Sequence, residues 1–304
     1  MTYRYFLGAN TKDGFRSLYD GLPPGDEDRL HILKGGPGTG KSSFLRAIAS
    51  SAEARGLEVE QVLCSGDPDS LDGVYVPALH RAWVDGTAPH VIEPRIFGAS
   101  GDYVHIGAFC TVPFSTVERK ALSALTHAYR ERYDRAYRAL ALCGDRDDWL
   151  CEGPTDAQAL ERLAPIPGRG AGLGTCRRLW LRAVCCQGLV QLNDCLEGLS
   201  QIPVAPDVLI QLADSAAEKG LDRIVCPSPI DPDLPEALLL PGGGLAFTAL
   251  TQPSPKIQDR FRQALDALRE AKALHDELEA IYGTHMDFGA LSAFTAEQLQ
   301  RIFA

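Results

Sequence analysis

No apolar run in this 304-residue chain approaches the ~20 residues a helix needs to span a bilayer, so no membrane-spanning helix is expected. Nor is there a block of consecutive Lys or Arg, and the formal net charge is -10. An acidic chain without a basic stretch is poorly suited to a phosphate backbone, which argues against nucleic acid as the main partner. The nine cysteines include no Cys-x-x-Cys pair and no Cys/His spacing of a zinc site. Residues Met1 to Phe6 lack the charged lead-in and long apolar core of a secretory signal. An odd number of thiols without an export signal fits a reducing, cytoplasmic setting.

What is present is ordinary in bulk and specific in one place. Hydrophobic residues make up 45% and charged residues 23%, enough for the core of one large domain or two modest ones. The apolar run Leu30-His31-Ile32-Leu33 reads as a buried strand. It leads into Gly35-Gly36-Pro37-Gly38-Thr39-Gly40-Lys41-Ser42, which fits the Walker A pattern G-x-x-x-x-G-K-[ST]. The glycines let the backbone curl so that its N–H groups cradle phosphate oxygens. Lys41 is placed to reach the terminal phosphates, and the Ser42 hydroxyl to meet Mg2+. Beyond Ser43, Phe44, Leu45 and Ile48 share one helical face, so a helix N-terminus is aimed at the anion. A nucleoside triphosphate, ATP with Mg2+, is the expected ligand.

The chain also reads as a tandem repeat. Leu7, Ala9, Gly14, Leu18 and Asp20 recur as Leu181, Ala183, Gly188, Leu192 and Asp194, at an offset of 174. Ala49, Ser51, Gly56, Asp67, Pro68, Asp69 and Pro77 recur at an offset of 164. Two long amphipathic helices follow in the same order. One opens at Ser115, with Glu118 completing a capping box, and carries Val117, Ala121, Leu125, Tyr129, Tyr133, Ala136 and Leu140 on one face. The other opens at Ser254-Pro255, with the proline in the first turn. Thr155 with Gln158, and Thr295 with Gln298, read as matching capping boxes that start short helices ending at Ala164 and Ala304. The second copy has lost the phosphate loop, since Leu199 to Ala205 holds no Gly-Lys-Ser. A deletion after Pro241 is expected to have removed the counterpart of Asp85 to His90. The expected organisation is a P-loop lobe at residues 1–164, a linker at 165–176 and a degenerate P-loop-like repeat at 177–304. The fold class is α/β: a parallel sheet flanked by helices, duplicated in shortened form.

Four stretches, Gly8 to Phe15, Lys34 to Ser42, Asp67 to Gly73 and Val84 to His90, resemble an uncharacterised bacterial P-loop ATPase family. That family is ATP-binding or nucleotide-kinase-like, and is built from two related P-loop halves. The resemblance implies the P-loop NTPase fold and ATP, and brings no substrate with it. The second half departs from the family pattern, which leaves one nucleotide site.

A P-loop site needs a second carboxylate for the Mg2+. Asp85 ends the apolar run Ala82-Trp83-Val84 as a strand-end aspartate should, although Asp85-Gly86 also suits a turn. His90 is placed to orient a water or sense the γ-phosphate. Asp67, Asp69 and Asp72 follow the apolar run Val59 to Cys64, where a base for an acceptor hydroxyl belongs. Asp67 and Asp69 recur in the second copy and read better as a turn. Asp72, matched by Glu236, stays a catalytic candidate. Gly86 stands where many fast ATPases carry a glutamate, so hydrolysis is expected to be slow. Arg169, Arg177 and Arg178 read as solvated linker charges rather than arginine fingers. The leading expectation is an ATPase switch, with a protein partner on the second half. The rivals are a small-molecule or nucleotide kinase and an ATP-binding regulator without turnover.

Overall fold

The computed structural model describes residues 2–25, 27–151 and 158–304 and is mixed α/β. The first half begins with strand β1 (Thr2–Phe6) and a hairpin of β2 (Gly8–Thr11) and β3 (Gly14–Ser17). Next come β4 (Arg29–Lys34), helix α1 (Lys41–Glu53), β5 (Val59–Leu63), β6 (Leu71–Val76), β7 (Arg81–Asp85) and β8 (Gly101–His105). These strands form one sheet in the order β1-β5-β6-β7-β4-β8. The sheet is mixed, where a parallel one was expected: β6 runs antiparallel to both β5 and β7. The cause is chain length. A parallel crossover takes about a dozen residues or more, and residues 64–70 and 77–80 are too few. As the spacing predicted, α1 buries Phe44, Leu45 and Ile48.

Helix α2 (Thr116–Ala141) leads to the short elements β9 (Trp149–Cys151) and α3 (Gln158–Glu161). Ser115 caps α2 with the expected reciprocal bonds to Glu118. Val117, placed above on its apolar face, is instead 77% exposed. Thr155 lies outside the described residues. Residues 165–175 carry no helix or strand, and their backbone docks on the end of a later helix through Arg169 N to Gly220 O and Gly170 N to Lys219 O.

The second half contains β10 (Cys176–Arg178), a hairpin of β11 (Arg182–Cys185) and β12 (Gly188–Gln191), then β13 (Ser200–Pro203) and α4 (Pro206–Glu218). It continues with β14 (Arg223–Pro227), β15 (Pro235–Leu240), β16 (Leu245–Thr248) and β17 (Thr251–Pro253), which pairs with β9. Its five-stranded sheet has the order β10-β14-β15-β16-β13. Taken strand by strand, this is the order of β1-β5-β6-β7-β4, with the same sequence of parallel and antiparallel pairings. The expected loss after Pro241 begins later than the sequence suggested, beyond the strand that follows Pro241. In this order β16 holds the place of β7 and is followed by Ala249 where Asp85 ends β7, while no strand among the described residues holds the place of β8.

Helices α5 (Gln258–Gly283) and α6 (Phe288–Ile302) close the chain. Two sequence expectations fail here. Helix α5 begins at Gln258 rather than at Ser254-Pro255, after a turn in which the Ile257 amide bonds to Ser254. Thr295 lies inside α6, where its hydroxyl donates to Leu291 O; Asp287 is the N-cap. Helices α2 and α5 pack antiparallel, with Arg132 and Arg135 both on Glu270. The halves meet reciprocally. Phe6 and Trp180, 174 residues apart, exchange backbone bonds of 3.0 and 2.9 Å, and Lys12 N to Ile230 O is mirrored by Cys186 N to Gly66 O. Among the described residues, no helix is long and apolar enough to cross a membrane.

Candidate nucleotide site

The loop from Gly35 to Gly40 joins the end of β4 to the start of α1. Gly38 (φ 64°) and Gly40 (φ 93°) sit in the left-handed region, which a residue with a Cβ enters only with strain. Thr39 donates its hydroxyl to Gly36 O at 2.8 Å and closes the curl. Lys41, almost buried, donates to Gly35 O at 2.9 Å and Gly36 O at 2.6 Å. Its Nζ is 3.5 Å from Asp85 Oδ2. Strand β7, which carries Asp85 at its end, is the parallel neighbour of β4. Ser42 accepts a bond of 3.0 Å from the Leu71 amide, tying α1 to the start of β6. Ser43 faces solvent. Asp85 Oδ1 accepts from the amide and hydroxyl of Thr87, so the turn and the lysine contact use different oxygens of one carboxylate.

Asp72 and His90 form a second cluster on the same end of the sheet. Asp72 Oδ2 accepts from the Tyr19 hydroxyl at 3.0 Å and lies 3.2 Å from His90 Nε2. Burial, with the Asp85 charge nearby, pushes the Asp72 carboxyl up to about 7. Burial also pulls His90 down to about 4, and the Lys41 charge adds to this. The imidazole is therefore neutral near pH 7, with one of its two nitrogens free to accept. Its Nδ1 is buried and without a hydrogen-bond partner among the described residues.

Asp67 and Asp69 form the turn that the sequence suggested: Asp69 N bonds to Asp67 Oδ1 and Ser70 N to Asp67 O. The linker arginines are engaged elsewhere. Arg177 holds Glu60, Arg169 holds Asp222 and Arg178 reaches Pro232 O.

Three contacts to the loop carry no local sequence signal. Glu279 Oε1 accepts from Gly38 N, the Tyr282 ring lies against Gly36, and Leu291 lies against Gly40. An open cleft of about 800 Å³ starts at Tyr282 and runs along α2 past Lys120, His127 and Arg130. In the second half Pro206 opens α4 as Lys41 opens α1, and Glu236 and Arg182 stand in the positions of Asp72 and Gly8. The Arg182 guanidinium is bound to the Glu236 carboxylate, and both are 1% exposed.

The Asp72–His90 pair gives opposing pH effects. Asp72 keeps its proton in the fold at pH values where the unfolded chain, with a pKa of 3.8, has released it. Its contribution to stability therefore falls as pH rises toward 7. His90, near 4 folded against 6.5 unfolded, makes stability rise between those values. Asp72→Asn removes the first trend alone. Relative to wild type it is expected to gain stability between about pH 5 and about pH 8, by at most ~2.6 kcal/mol. Guanidine unfolding of both proteins at the two pH values measures this, and an unchanged difference would contradict the raised Asp72.

No family model matches the chain, and comparisons with curated proteins and with solved structures likewise return no match.

Proposed function

We propose that this chain is a P-loop ATPase of the two-lobed kind its motifs resemble, holding one Mg–ATP in its first half and hydrolysing it slowly as a conformational switch. The observation that carries this reading is the 3.5 Å approach of Lys41 to Asp85 across two neighbouring parallel strands, with the glycine loop between them. A cation for the terminal phosphates and a carboxylate for the metal then meet at the mouth of a curled backbone. The donor set suits Mg2+, a hard cation that takes oxygen ligands: the Ser42 hydroxyl and the Asp85 carboxylate would hold it, with water completing the shell. When bound, the metal neutralises phosphate charge. The loop amides and Lys41 orient the phosphates. In the tautomer that leaves Nδ1 bare, His90, held by Asp72, is the group that would take a proton from an attacking water. The cleft beginning at Tyr282 has room for a nucleoside.

The halves are read as a tandem duplication, supported by the shared strand order and by glycine-compatible backbone at matched positions: Gly14 with Gly188, Gly56 with Gly220, His80 with Gly244. With Ala205 and Ala249 in place of Lys41 and Asp85, the second half is a non-binding partner of the first. A kinase is the second reading. The buried Asp72–His90 pair favours it, because that base would serve an acceptor hydroxyl as well as water.

Calorimetric titration with ATP, with and without Mg2+, followed by phosphate release, tests the assignment. Wild type is expected to bind more tightly with Mg2+ and to release phosphate slowly without any acceptor. Release that begins only with an added acceptor would favour the kinase. Asp85→Asn is expected to keep part of its ATP affinity and lose the Mg2+ dependence; normal turnover in that variant would remove Asp85 from the site.

A further inference from the structure

The Gly38 amide donates to Glu279 Oε1 at 3.2 Å, a contact between residues 241 apart in the chain. It is part of a close approach. A Cβ on Gly38 would stand 2.6 Å from the Glu279 carbonyl oxygen, one on Gly40 2.8 Å from Leu291 Cδ2, and one on Gly36 3.0 Å from the Tyr282 ring. Three loop positions without side chains are what let the end of α5 and the start of α6 rest directly on the loop.

Given the reading of this loop as the phosphate site, one of the amides that would hold a phosphate oxygen already holds a carboxylate. A carboxylate resembles one edge of a phosphate: two oxygens sharing a negative charge, accepting from a backbone N–H. It cannot share that donor with a triphosphate, because two anions at one amide repel. The last turns of α5 add the negative end of the helix dipole to the same place. Glu279 belongs to the second half, on the helix that packs along α2 and holds Arg132 and Arg135 through Glu270.

We propose that Glu279 is an internal competitor for the terminal phosphates, and that the α5–α6 corner is a lid held shut by it in the nucleotide-free chain. Mg–ATP displaces the carboxylate and lifts the corner. The displacement reaches α2 through Glu270, on the same helix, which holds Arg132 and Arg135. The coupling is reciprocal: a seated Glu279 weakens nucleotide binding, and bound nucleotide weakens the seat.

The test is calorimetric titration of Mg–ATP into wild type, Glu279→Gln and Glu277→Gln. Glutamine keeps the shape of the side chain and an oxygen for the Gly38 amide but removes the charge. Glu277 is an exposed acid on the same helix, so its variant controls for net charge. E279Q is expected to bind Mg–ATP roughly tenfold more tightly than wild type, with E277Q unchanged. In wild type, amide hydrogen exchange over residues 280–291 is expected to quicken when Mg–ATP is added. Unchanged or weaker binding by E279Q, equal tightening by E277Q, or exchange that ignores nucleotide would each overturn the lid. Wild type that binds no Mg–ATP would overturn the reading of the loop, and this proposal with it.

Discussion

Lys41→Ala is expected to abolish the thermal stabilisation that Mg–ATP gives the wild-type protein. A ligand at 100 times its dissociation constant adds about 2.7 kcal/mol to stability, so the wild-type shift should be plain in a melting curve. Lys41 supplies the near-buried cation of the loop, with its Nζ fixed on Gly35 O and Gly36 O and facing Asp85. Alanine removes the charge that meets the phosphates and leaves Asp85 without its positive neighbour, so the anion would enter a site with an uncompensated carboxylate. The variant also loses two bonds to loop carbonyls, and its unliganded melting point should fall modestly. The comparison that counts is therefore the shift on adding ligand. An equal shift in both proteins would place ATP somewhere other than this loop.

The other large effect is expected in the second half. Arg182→Met should destabilise the fold by about 3–5 kcal/mol, the range for removing one member of a buried ion pair. Arg182 Nε lies 3.0 Å from Glu236 Oε1, and Nη1 donates to Thr251 O at 2.8 Å. Burial already pushes the Glu236 carboxyl up, with Arg182 opposing it; without the guanidinium only the upward push is left. A group raised in the folded state costs stability as pH rises, so the deficit of the variant should grow from acidic to neutral pH. The double change Arg182→Met with Glu236→Leu should recover most of the loss, because two apolar groups bury without an unpaired charge. Urea unfolding at two pH values measures both points. A double variant no more stable than the single one would mean that the pair is not the source of the cost.

Local features were the legible ones. The strand, glycine loop and helix at residues 29–53 are a continuous segment, and each part follows from its own residues: apolar run, left-handed glycines, helical spacing. The Ser115 capping box could be read for the same reason. The direction of β6 could not be read from its pattern, since Leu71–Val76 is buried throughout and a fully buried strand looks alike in either orientation. The short connections around it held the information. Thr295 misled because Ser and Thr also sit inside helices by donating to the carbonyl four residues back, as Thr295 does to Leu291. Asp72 and His90 were legible as candidates, but their pairing was not, because it depends on how residues 86–90 fold back over β6. Glu279 had no signal. Nothing in a helix of mixed charge says which of its acids will meet a loop from the other end of the chain.

The Phe6–Trp180 contact reads the same from either side, as a contact between two copies of one subunit does. Two identical subunits are made from one coding sequence, so neither can give up a loop that the other keeps. Fused halves are free of that constraint. Under the tandem reading and the proposed nucleotide site, the first half would retain the ligand while the second retains only its grip on the first. Occupancy is then one nucleotide per chain, and the binding curve is a simple hyperbola with no second like site to report to.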